Sequence, residues 1–385
     1  MRRPARRSLA LLLGTAVLAA GCGQGGNEST VTVSEDLTAV PSAEDGSEGM
    51  FTFDGIPDVV GTVVSGLDTP WGLDFLPDGR AVVTERETAR VLLVAPAEPG
   101  SEAEATVTEL GTVPGVAPRG EGGLLGVAVS PTFGTDARLY LYLTSRTDNR
   151  VVRVTVAEDR MTAPKPVLTG IPAGALHDGG RLEFGPDGHL YVSTGETGAG
   201  DLAQDKGSLA GKILRITTEG DPAPGNPFGT PVWSRGHRNV QGLAFDGAGQ
   251  LWASELGDDV ADELNRIVPG GNYGWPMAEG RAGPPTLEQP ALAWSPAAAS
   301  PSGLAFVGGY LWMAALRGER LWRVRVADGV ASDPTPYFAG RRGGEYGRLR
   351  TVALAPDGRL WLATSNTDGR GEPGPEDDRI LLVEP

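Results

Sequence analysis

The sequence predicts an all-β protein that folds as a six-bladed β-propeller of four-stranded antiparallel blades. Glycine and proline account for 57 and 31 of the 385 residues, which argues against a mostly helical protein because both interrupt helices. Six similar segments recur along the chain, each with two runs of alternating apolar residues joined by a turn. No long stretch between the segments has sustained helical periodicity, so the recurring hairpins define the fold class.

The six segments follow one another at the spacing of propeller blades. They are FLPDGRAVVTE (75–85), FGTDARLYLYLTS (133–145), FGPDGHLYVSTGE (184–196), FDGAGQLWASELG (245–257), FVGGYLWMAALRG (306–318) and LAPDGRLWLATSN (354–366). Their turns are 57, 52, 61, 60 and 49 residues apart, and a period of this size fits a four-stranded blade with variable loops. The short run ILLV (380–383) is predicted to close the ring. The alternative is a pair of β-sandwich domains, which would make the sixfold recurrence a coincidence.

The amino-terminal region has the pattern of a bacterial export signal over residues 1–21. Four arginines precede an apolar run that is too short for a durable membrane span, and small residues lead into Cys22. The ending LAAGC resembles a lipoprotein processing site, so we expect Cys22 to carry lipid; an ordinary secretory signal is the alternative. Residues 22–55 are predicted to be a flexible tether and residues 56–385 the propeller. The expected location is therefore outside the cytoplasm, with membrane attachment only through the lipid anchor.

The charge balance and the cysteine content exclude several classes of function. The chain has 33 Lys and Arg against 49 Asp and Glu, a net charge of −16 that repels the nucleic acid backbone. Because Cys22 is the single cysteine, neither a disulfide framework nor a thiolate metal cluster is available.

Histidines mark two candidate functional loops. His177 lies before the third segment and is followed by glycines that allow a ligand to approach the backbone, so it can act as a base. His189 sits in the turn of that segment, where other copies carry Arg or Gln, and is interpreted as a surface residue. His237 begins a dense polar cluster with residues 238–241, which we expect either to bind a ligand or to brace a loop.

Two charged clusters complete the set of candidates. Five acidic residues lie between Glu255 and Glu263 ahead of a glycine-rich turn, a composition that suits calcium or, alternatively, a solvated loop. Arg348 and Arg350 alternate along a presumed strand and therefore point to the same side. Two adjacent positive charges need an anion, which is either a bound ligand or nearby acidic side chains.

Several ordered motifs resemble the glucose/sorbosone dehydrogenase family. They are LDTPWGLDFLPDGRAVVTER, EGGLLGVAVSP, HDGGRLEFGPDGHLYVSTGE, GKILRI, WSRGHRNVQGLAF, DELNRIVPGGNYGWP and GRLRTVALAPDG, within residues 62–385. The family includes soluble aldose sugar dehydrogenases that depend on pyrroloquinoline quinone (PQQ), and its fold is a six-bladed propeller. The resemblance implies an oxidoreductase that converts aldose sugars at the anomeric carbon to lactones with PQQ and calcium, and that passes electrons to an external acceptor.

The resemblance also implies roles for the residues that react with or bind the cofactor. His177 matches the base that takes the proton from the anomeric hydroxyl. Arg238 and Asn239 match residues beside the quinone oxygens, where Arg238 stabilises charge as hydride arrives. The matches to residues that face the cofactor carboxylates are Arg317, Arg348 and Arg350.

Metal ligands are implied in the acidic loop and just after it. Gly257 and Asp258 match the loop whose backbone carbonyls hold calcium, which orients the quinone and acts as a Lewis acid. Glu263 and Tyr273 match positions that bind a second, structural calcium in some members.

Three positions depart from the family pattern. Glu121 stands near the cofactor where soluble glucose enzymes have glutamine, and its charge would repel an anionic ligand unless it is protonated or turned away. Leu176 replaces an aspartate before the base, so a partner for His177 must come from elsewhere, with Asp178 as a candidate. Glu196 replaces the more usual aspartate. Glu121 favours the alternative function of a propeller lipoprotein that binds a sugar or an anion without redox turnover; a calcium-dependent lactonase is a third hypothesis.

Overall fold

The computed structural model describes residues 53–97, 105–340 and 344–385. The predicted signal peptide, Cys22 and almost all of the predicted tether lie outside the described residues. Phe53 is buried in an apolar cluster that includes Trp312 and Leu360. Its carbonyl accepts a hydrogen bond of 2.9 Å from Arg323 Nη1. The packed part of the chain therefore includes residues before the predicted boundary at residue 56.

The described residues are almost entirely β-strands joined by turns. The strands are β1 (Asp58–Val64), β2 (Pro70–Phe75), β3 (Ala81–Glu85), β4 (Arg90–Ala95), β5 (Thr106–Thr112), β6 (Leu124–Val129), β7 (Arg138–Thr144), β8 (Asn149–Ala157), β9 (Arg160–Met161), β10 (Lys165–Ile171), β11 (Leu182–Phe184), β12 (Leu190–Ser193), β13 (Lys212–Ile216), β14 (Val232–Arg235), β15 (Asn239–Phe245), β16 (Leu251–Leu256), β17 (Asp262–Arg266), β18 (Leu292–Trp294), β19 (Pro301–Val307), β20 (Tyr310–Ala315), β21 (Arg320–Ala327), β22 (Val330–Tyr337), β23 (Leu349–Leu354), β24 (Leu360–Thr364) and β25 (Ile380–Glu384). The helical elements are α1 (Phe133–Asp136) and 3₁₀ turns at Gly200–Ala203 and Gly280–Ala282. None of the described helices is long and apolar enough to cross a membrane.

The strands form six antiparallel sheets, which confirms the predicted six-bladed propeller. Blades 1 to 5 take consecutive strands in the orders β2-β3-β4-β5, β6-β7-β8-β10, β11-β12-β13-β14, β15-β16-β17-β18 and β19-β20-β21-β22, with β9 added to β8. Blade 6 has the order β23-β24-β25-β1. The predicted closing strand β25 therefore pairs with a strand from the other end of the domain, Asp58 opposite Glu384, and this pairing closes the ring.

The repeated motif supplies the packing between blades. Its second strand carries an aromatic residue at the same position in five copies, and these residues are Tyr140, Tyr191, Trp252, Trp312 and Trp361, all buried. Six apolar clusters lie at the blade interfaces, each formed mainly by residues of two neighbouring blades. Burying one such large side chain contributes about 1.5–3 kcal/mol, so the repeat also stabilises the ring.

Glycines let the innermost strands approach one another at the axis. A Cβ on Gly126 would lie 2.2 Å from the carbonyl oxygen of Gly180, and one on Gly242 would lie 2.3 Å from that of Ser302. Both distances are shorter than any side chain tolerates, so the close approach of neighbouring blades requires glycine at these positions.

The six innermost strands enclose an axial cavity of about 220 Å³. Asp74, Arg181, Glu183 and Thr351 are among the residues that line this cavity. Arg181 Nη2 donates a hydrogen bond to Thr351 Oγ1 at 3.2 Å. Burial raises the pKa of Glu183 to about 8, with a further increase from the Asp74 charge and an opposing effect from Arg181. Burial also raises the pKa of Asp74 to about 6, against two backbone hydrogen bonds that lower it. These acids are therefore drawn toward their neutral forms.

Candidate active site

The candidate residues come together because they enter the innermost strands from the same end. His177 precedes β11, Arg238 directly precedes β15 and Arg348 directly precedes β23, so three blades contribute to one face of the ring. Glu121, before β6, is a fourth contribution. Residues far apart in sequence thus recur at blade spacing, as the propeller prediction required.

His177 is held in an unusual backbone conformation beside a carboxylate. Its φ angle is +57°, a left-handed value that it shares with eleven other non-glycine residues in the described part of the chain. Its Nδ1 lies 2.5 Å from Glu196 Oε1, so Nδ1 carries the proton that is shared with the carboxylate. Nε2 is then left as the unprotonated acceptor. The sequence suggested Asp178 as partner, but Asp178 Oδ1 accepts hydrogen bonds from Asn149 and Gly174 instead.

Glu121 supports the histidine loop and its negative charge is matched. Its Oε2 accepts the backbone N–H of His177 at 2.9 Å, and its Oε1 lies 2.9 Å from Arg370 Nη2. Burial alone would raise the pKa of Glu121, but the His177 hydrogen bond and the Arg370 charge outweigh it and lower the pKa. The carboxylate is therefore ionised and turned toward these two partners.

Arg238 and Asn239 are joined to the histidine loop through hydrogen bonds. The carbonyl of Arg238 accepts the N–H of Glu196 at 2.8 Å, and Asn239 Oδ1 accepts the N–H of Gly179 at 3.1 Å. The Arg238 guanidinium lies over the ring of Trp275, with 5.3 Å between its central carbon and the ring centroid. The base and this guanidinium therefore belong to one continuous rim.

Arg348 and Arg350 share one buried carboxylate, Asp368. Arg348 Nη2 lies 2.9 Å and Arg350 Nη2 lies 3.3 Å from Asp368 Oδ2. Burial lowers the pKa of Arg350 to about 9, partly offset by Asp368, which leaves the guanidinium charged at neutral pH. Burial raises the pKa of Asp368, but the Arg350 and Arg348 charges lower it further than burial raises it. The two arginines point to the same side, as predicted. Asp368 supplies at least one of the negative charges that balance them.

A small cavity of about 40 Å³ lies between these groups, and sequence reasoning missed several residues that line it. The additional lining residues include Trp71, Arg86, Gln241, Asp368 and Arg370. Four arginines line the cavity with two carboxylates, Glu121 and Asp368, and Arg86 is also paired with Glu87 at 2.6 Å, which leaves an excess of one positive charge. In the sequence, Arg86 ends the motif VTER (83–86), and Asp368 and Arg370 lie in TDGR (367–370), after the sixth repeat. These two segments are in the first and last blades, so only closure of the ring brings them together.

The predicted calcium loop directs oxygens toward Arg238. The carbonyl of Gly257 accepts a hydrogen bond from Arg238 Nη1, and Asp258 Oδ1 lies 2.7 Å from Arg238 Nη2. A Cβ on Gly257 would lie 2.0 Å from the carbonyl oxygen of Ala261, so this tight loop requires glycine. The oxygens that the resemblance assigns to calcium are therefore hydrogen-bonded to the Arg238 guanidinium in this structure.

The second calcium remains a prediction without geometric support. Glu263 accepts hydrogen bonds from the N–H of Gly280 at 2.7 Å and from Asn265 Nδ2 at 2.9 Å. Tyr273 donates its hydroxyl to the carbonyl of Arg266 at 2.7 Å. In residues 53–97, 105–340 and 344–385, no three His, Cys, Asp or Glu side chains are grouped as metal ligands.

The remaining candidates have distinct environments. Arg317 is exposed, and its neighbour Leu316 is the residue that lines the cavity. His189 lies in its turn beside Asp187, at 3.6 Å. His237 is fully buried between Ser234 and Glu255, so it braces the loop and does not contact a ligand.

Several buried polar atoms around the rim lack a partner among the described residues. They are Glu196 Oε2, Arg238 Nε, Asn239 Nδ2 and Trp275 Nε1. Buried polar groups are normally hydrogen-bonded, and these atoms belong to residues beside the arginine-lined cavity. The donor set and the excess positive charge fit a planar ligand with several carboxylates, such as PQQ.

Comparisons with known proteins point to one group of enzymes. A model of the family described as Glucose / Sorbosone dehydrogenase matches residues 67–380. The PQQ-bound aldose sugar dehydrogenase of Streptomyces coelicolor is 52% identical, with a TM-score of 0.81 over 85% of this chain and 97% of that chain. A putative oxidoreductase (glucose dehydrogenase) of Thermus thermophilus is 43% identical, with a TM-score of 0.76 over 86% of this chain and 100% of that chain. The aldose sugar dehydrogenase of Escherichia coli K12 is 31% identical over 79% of this chain and 89% of its own length.

Proposed function

This chain belongs to the glucose/sorbosone dehydrogenase family, and from that premise we propose that it oxidises aldose sugars at the anomeric carbon to lactones, with PQQ and calcium as cofactors. The electrons pass to an external acceptor. The observation that carries the proposal is the linkage of His177, Glu196 and Arg238 on one rim beside the arginine-lined cavity.

The residues of the rim supply the proton transfer and the electrostatic stabilisation. Oxidation at the anomeric carbon removes the hydroxyl proton and the C–H hydrogen with its electron pair, leaving the C=O of the lactone. Glu196 holds the proton of His177 on Nδ1, so Nε2 takes the hydroxyl proton. Arg238 holds a positive charge on the same rim, which stabilises negative charge that develops during the transfer. PQQ would supply the hydride acceptor when bound, and calcium would supply a Lewis acid.

Cofactor binding follows from the charges of the cavity. The carboxylates of PQQ would be held by Arg348, Arg350 and their neighbours, and calcium by the oxygens of Gly257 and Asp258. Asn239 would contribute its free Nδ2. Glu121, which favoured the non-redox alternative, is neutralised by Arg370 and the His177 amide, so it no longer argues against an anionic cofactor. No observation favours the lactonase.

Reconstitution of the purified apoprotein tests the function. PQQ and calcium are added, and turnover of several aldoses is measured with an artificial acceptor dye. We expect His177→Ala to lower kcat by about 1,000-fold, because general-base catalysis contributes about 10²–10⁴-fold. His189→Ala, a histidine in a turn of the same blade, is the matched control and should retain wild-type turnover. Absence of sugar-dependent turnover in the wild type, or equal turnover in His177→Ala, would reject the proposal.

We also propose that the enzyme is exported and attached to the cell membrane through lipid on Cys22. The proposal is supported by the arginine-rich start, the apolar run and the LAAGC sequence. Mass spectrometry of the mature protein should find an acylated Cys22 as the first residue. A mature protein that begins elsewhere, or an unmodified Cys22, would contradict it.

A further inference from the structure

A buried hydrogen-bonded chain of Ser234, His237 and Glu255 lies directly under Arg238. We propose that His237 and Glu255 are positioning residues that hold the main chain of Arg238 in register with His177. The inference rests on the proposed function for the role of Arg238. The sequence analysis left open whether His237 binds a ligand or braces a loop, and the proposal assigns it a positioning role.

Glu255 is the centre of the chain because its carboxylate accepts three hydrogen bonds. Oε1 accepts the backbone N–H of Arg238 at 2.5 Å, and Oε2 accepts His237 Nδ1 at 2.8 Å and Asn265 Nδ2 at 3.1 Å. His237 Nε2 lies 2.8 Å from Ser234 Oγ, so the imidazole is held at both nitrogens. One carboxylate thus fixes both the imidazole and the main chain of the arginine.

The hydrogen-bonded side chains of Ser234, His237 and Glu255 are buried, so they cannot contact a substrate. Ser234 and His237 have no exposed surface, and Glu255 is 3% exposed. His237 is stacked on Tyr273, with 4.5 Å between the ring centroids. The order serine, histidine, carboxylate is that of a hydrolase triad, but no substrate can reach this serine. The effect of the chain on chemistry must therefore pass through Arg238.

The main chain of Arg238 is held from both sides. Its N–H is bound by Glu255, while its carbonyl is bound by the N–H of Glu196, the residue that orients His177. Removal of the Glu255 contact leaves the N–H of Arg238 without its acceptor, so that the main chain is held by the Glu196 contact and the guanidinium by Gly257 and Asp258. The main chain of Arg238 can then shift relative to His177, and a displacement of about 1 Å at a catalytic group can cost about 100-fold in rate.

The test compares two buried carboxylates in the same blade. Glu255→Ala removes the clamp, and Asp246→Ala is the matched control, because Asp246 is 8% exposed and also accepts three N–H hydrogen bonds, in the β15–β16 turn at the opposite end of the strands. Glu255→Gln is the conservative variant. Its amide oxygen can still accept from Arg238, and a change of His237 tautomer lets its N–H₂ donate to His237 Nδ1, while Asn265 keeps its hydrogen bond to Glu263. Should Glu255→Ala fail to fold, His237→Asn is the second variant, since a shorter amide keeps a donor toward Glu255.

Turnover is measured on PQQ- and calcium-loaded protein. We expect Glu255→Ala to lower kcat by about 30- to 100-fold with the sugar KM within about threefold, His237→Asn by about 5- to 20-fold, and Glu255→Gln to recover to within about fivefold of wild type. Asp246→Ala should lose thermal stability and keep kcat. A loss of kcat in Asp246→Ala as large as in Glu255→Ala would mean that Glu255 is merely structural and would overturn the proposal.

A second readout needs no cofactor. In protein with ¹⁵N-labelled arginine and no PQQ, the Nε signal of Arg238, identified with Arg238→Lys, should shift or broaden in Glu255→Ala and His237→Asn but not in Asp246→Ala. An unchanged signal overturns the positioning role even if turnover falls. If the wild type shows no turnover, the proposed function fails, and the signal alone still decides whether Glu255 positions Arg238.

Discussion

The axis of the propeller contains two buried groups of charges with opposite behaviour. At the active-site end, Asp368 lies between Arg348 and Arg350, and their charges lower the pKa of the carboxyl although burial raises it. In the axial cavity, Glu183 has no hydrogen-bonded cationic partner, and burial raises its pKa to about 8 against the opposing charge of Arg181. Both groups include residues of innermost strands, such as Glu183 in β11 and Arg350 in β23. Partners rather than depth therefore decide whether a buried acid stays charged.

The difference separates a binding end from a structural end. Charges that are held ionised and oriented can exchange partners with an incoming carboxylate at little cost in reorganisation. Acids that are drawn toward the neutral form do not create a field for a ligand. Three substitutions sharpen this comparison.

The largest effect is expected for Arg350→Gln at the active-site end. Arg350 donates to Gln241 Oε1 at 2.9 Å and contacts Asp368, so its loss leaves a buried carboxylate with Arg348 alone. We expect the Kd for PQQ to rise by about 30- to 4,000-fold, since truncating one partner of a buried charge pair across an interface costs about 2–5 kcal/mol. Titration of apoprotein with PQQ measures it. Arg215→Gln, at an arginine that is similarly buried beside Asp187, is the control and should bind PQQ normally. Equal affinity in Arg350→Gln would show that this end does not bind the cofactor carboxylates.

A smaller effect is expected when the partner of the base is changed. In Glu196→Gln the amide N–H₂ can donate to His177 Nδ1, which places the imidazole proton on Nε2 and removes the acceptor. We expect kcat to fall by about 10- to 100-fold while the Kd for PQQ changes less than threefold. Glu196→Asp keeps a carboxylate and should retain most of the activity. A weaker PQQ affinity with unchanged kcat would instead assign Glu196 to cofactor binding.

The sequence predicts the blades well because each blade is a local repeat. Alternating apolar residues and a turn recur in every copy, and an aromatic residue such as Trp252 or Trp361 identifies the same strand in five of the six copies. The identity of β1 as the outer strand of blade 6 was missed, because its partner lies more than 300 residues away and its own pattern is weak.

The active site is predictable only in part because the residues that meet there come from different loops, even where those loops belong to one blade. The alternation of Arg348 and Arg350 correctly indicates a shared direction and a shared anion, but Asp368 belongs to the loop after the following strand. The partner of His177 was sought in the adjacent Asp178, whereas the pairing of β11 with β12 in blade 3 brings Glu196 to it. Periodicity locates a residue on a blade, and only the packing of loops decides which side chains meet.

The smallest effect is expected in the axial cavity, where Glu183→Gln should stabilise the protein at high pH. An unfolded chain loses this proton near pH 4.5, but the folded protein keeps it until about pH 8. Stability from this group is therefore complete below pH 4.5 and falls as the pH rises through 8. Denaturant unfolding should give Glu183→Gln about 1–3 kcal/mol more stability than wild type at pH 8.5, and a smaller difference at pH 5. Glu384→Gln, at an exposed glutamate, should show no such trend. A pH-independent difference in Glu183→Gln would mean that the cavity acid is already compensated, and the contrast between the two ends would fail.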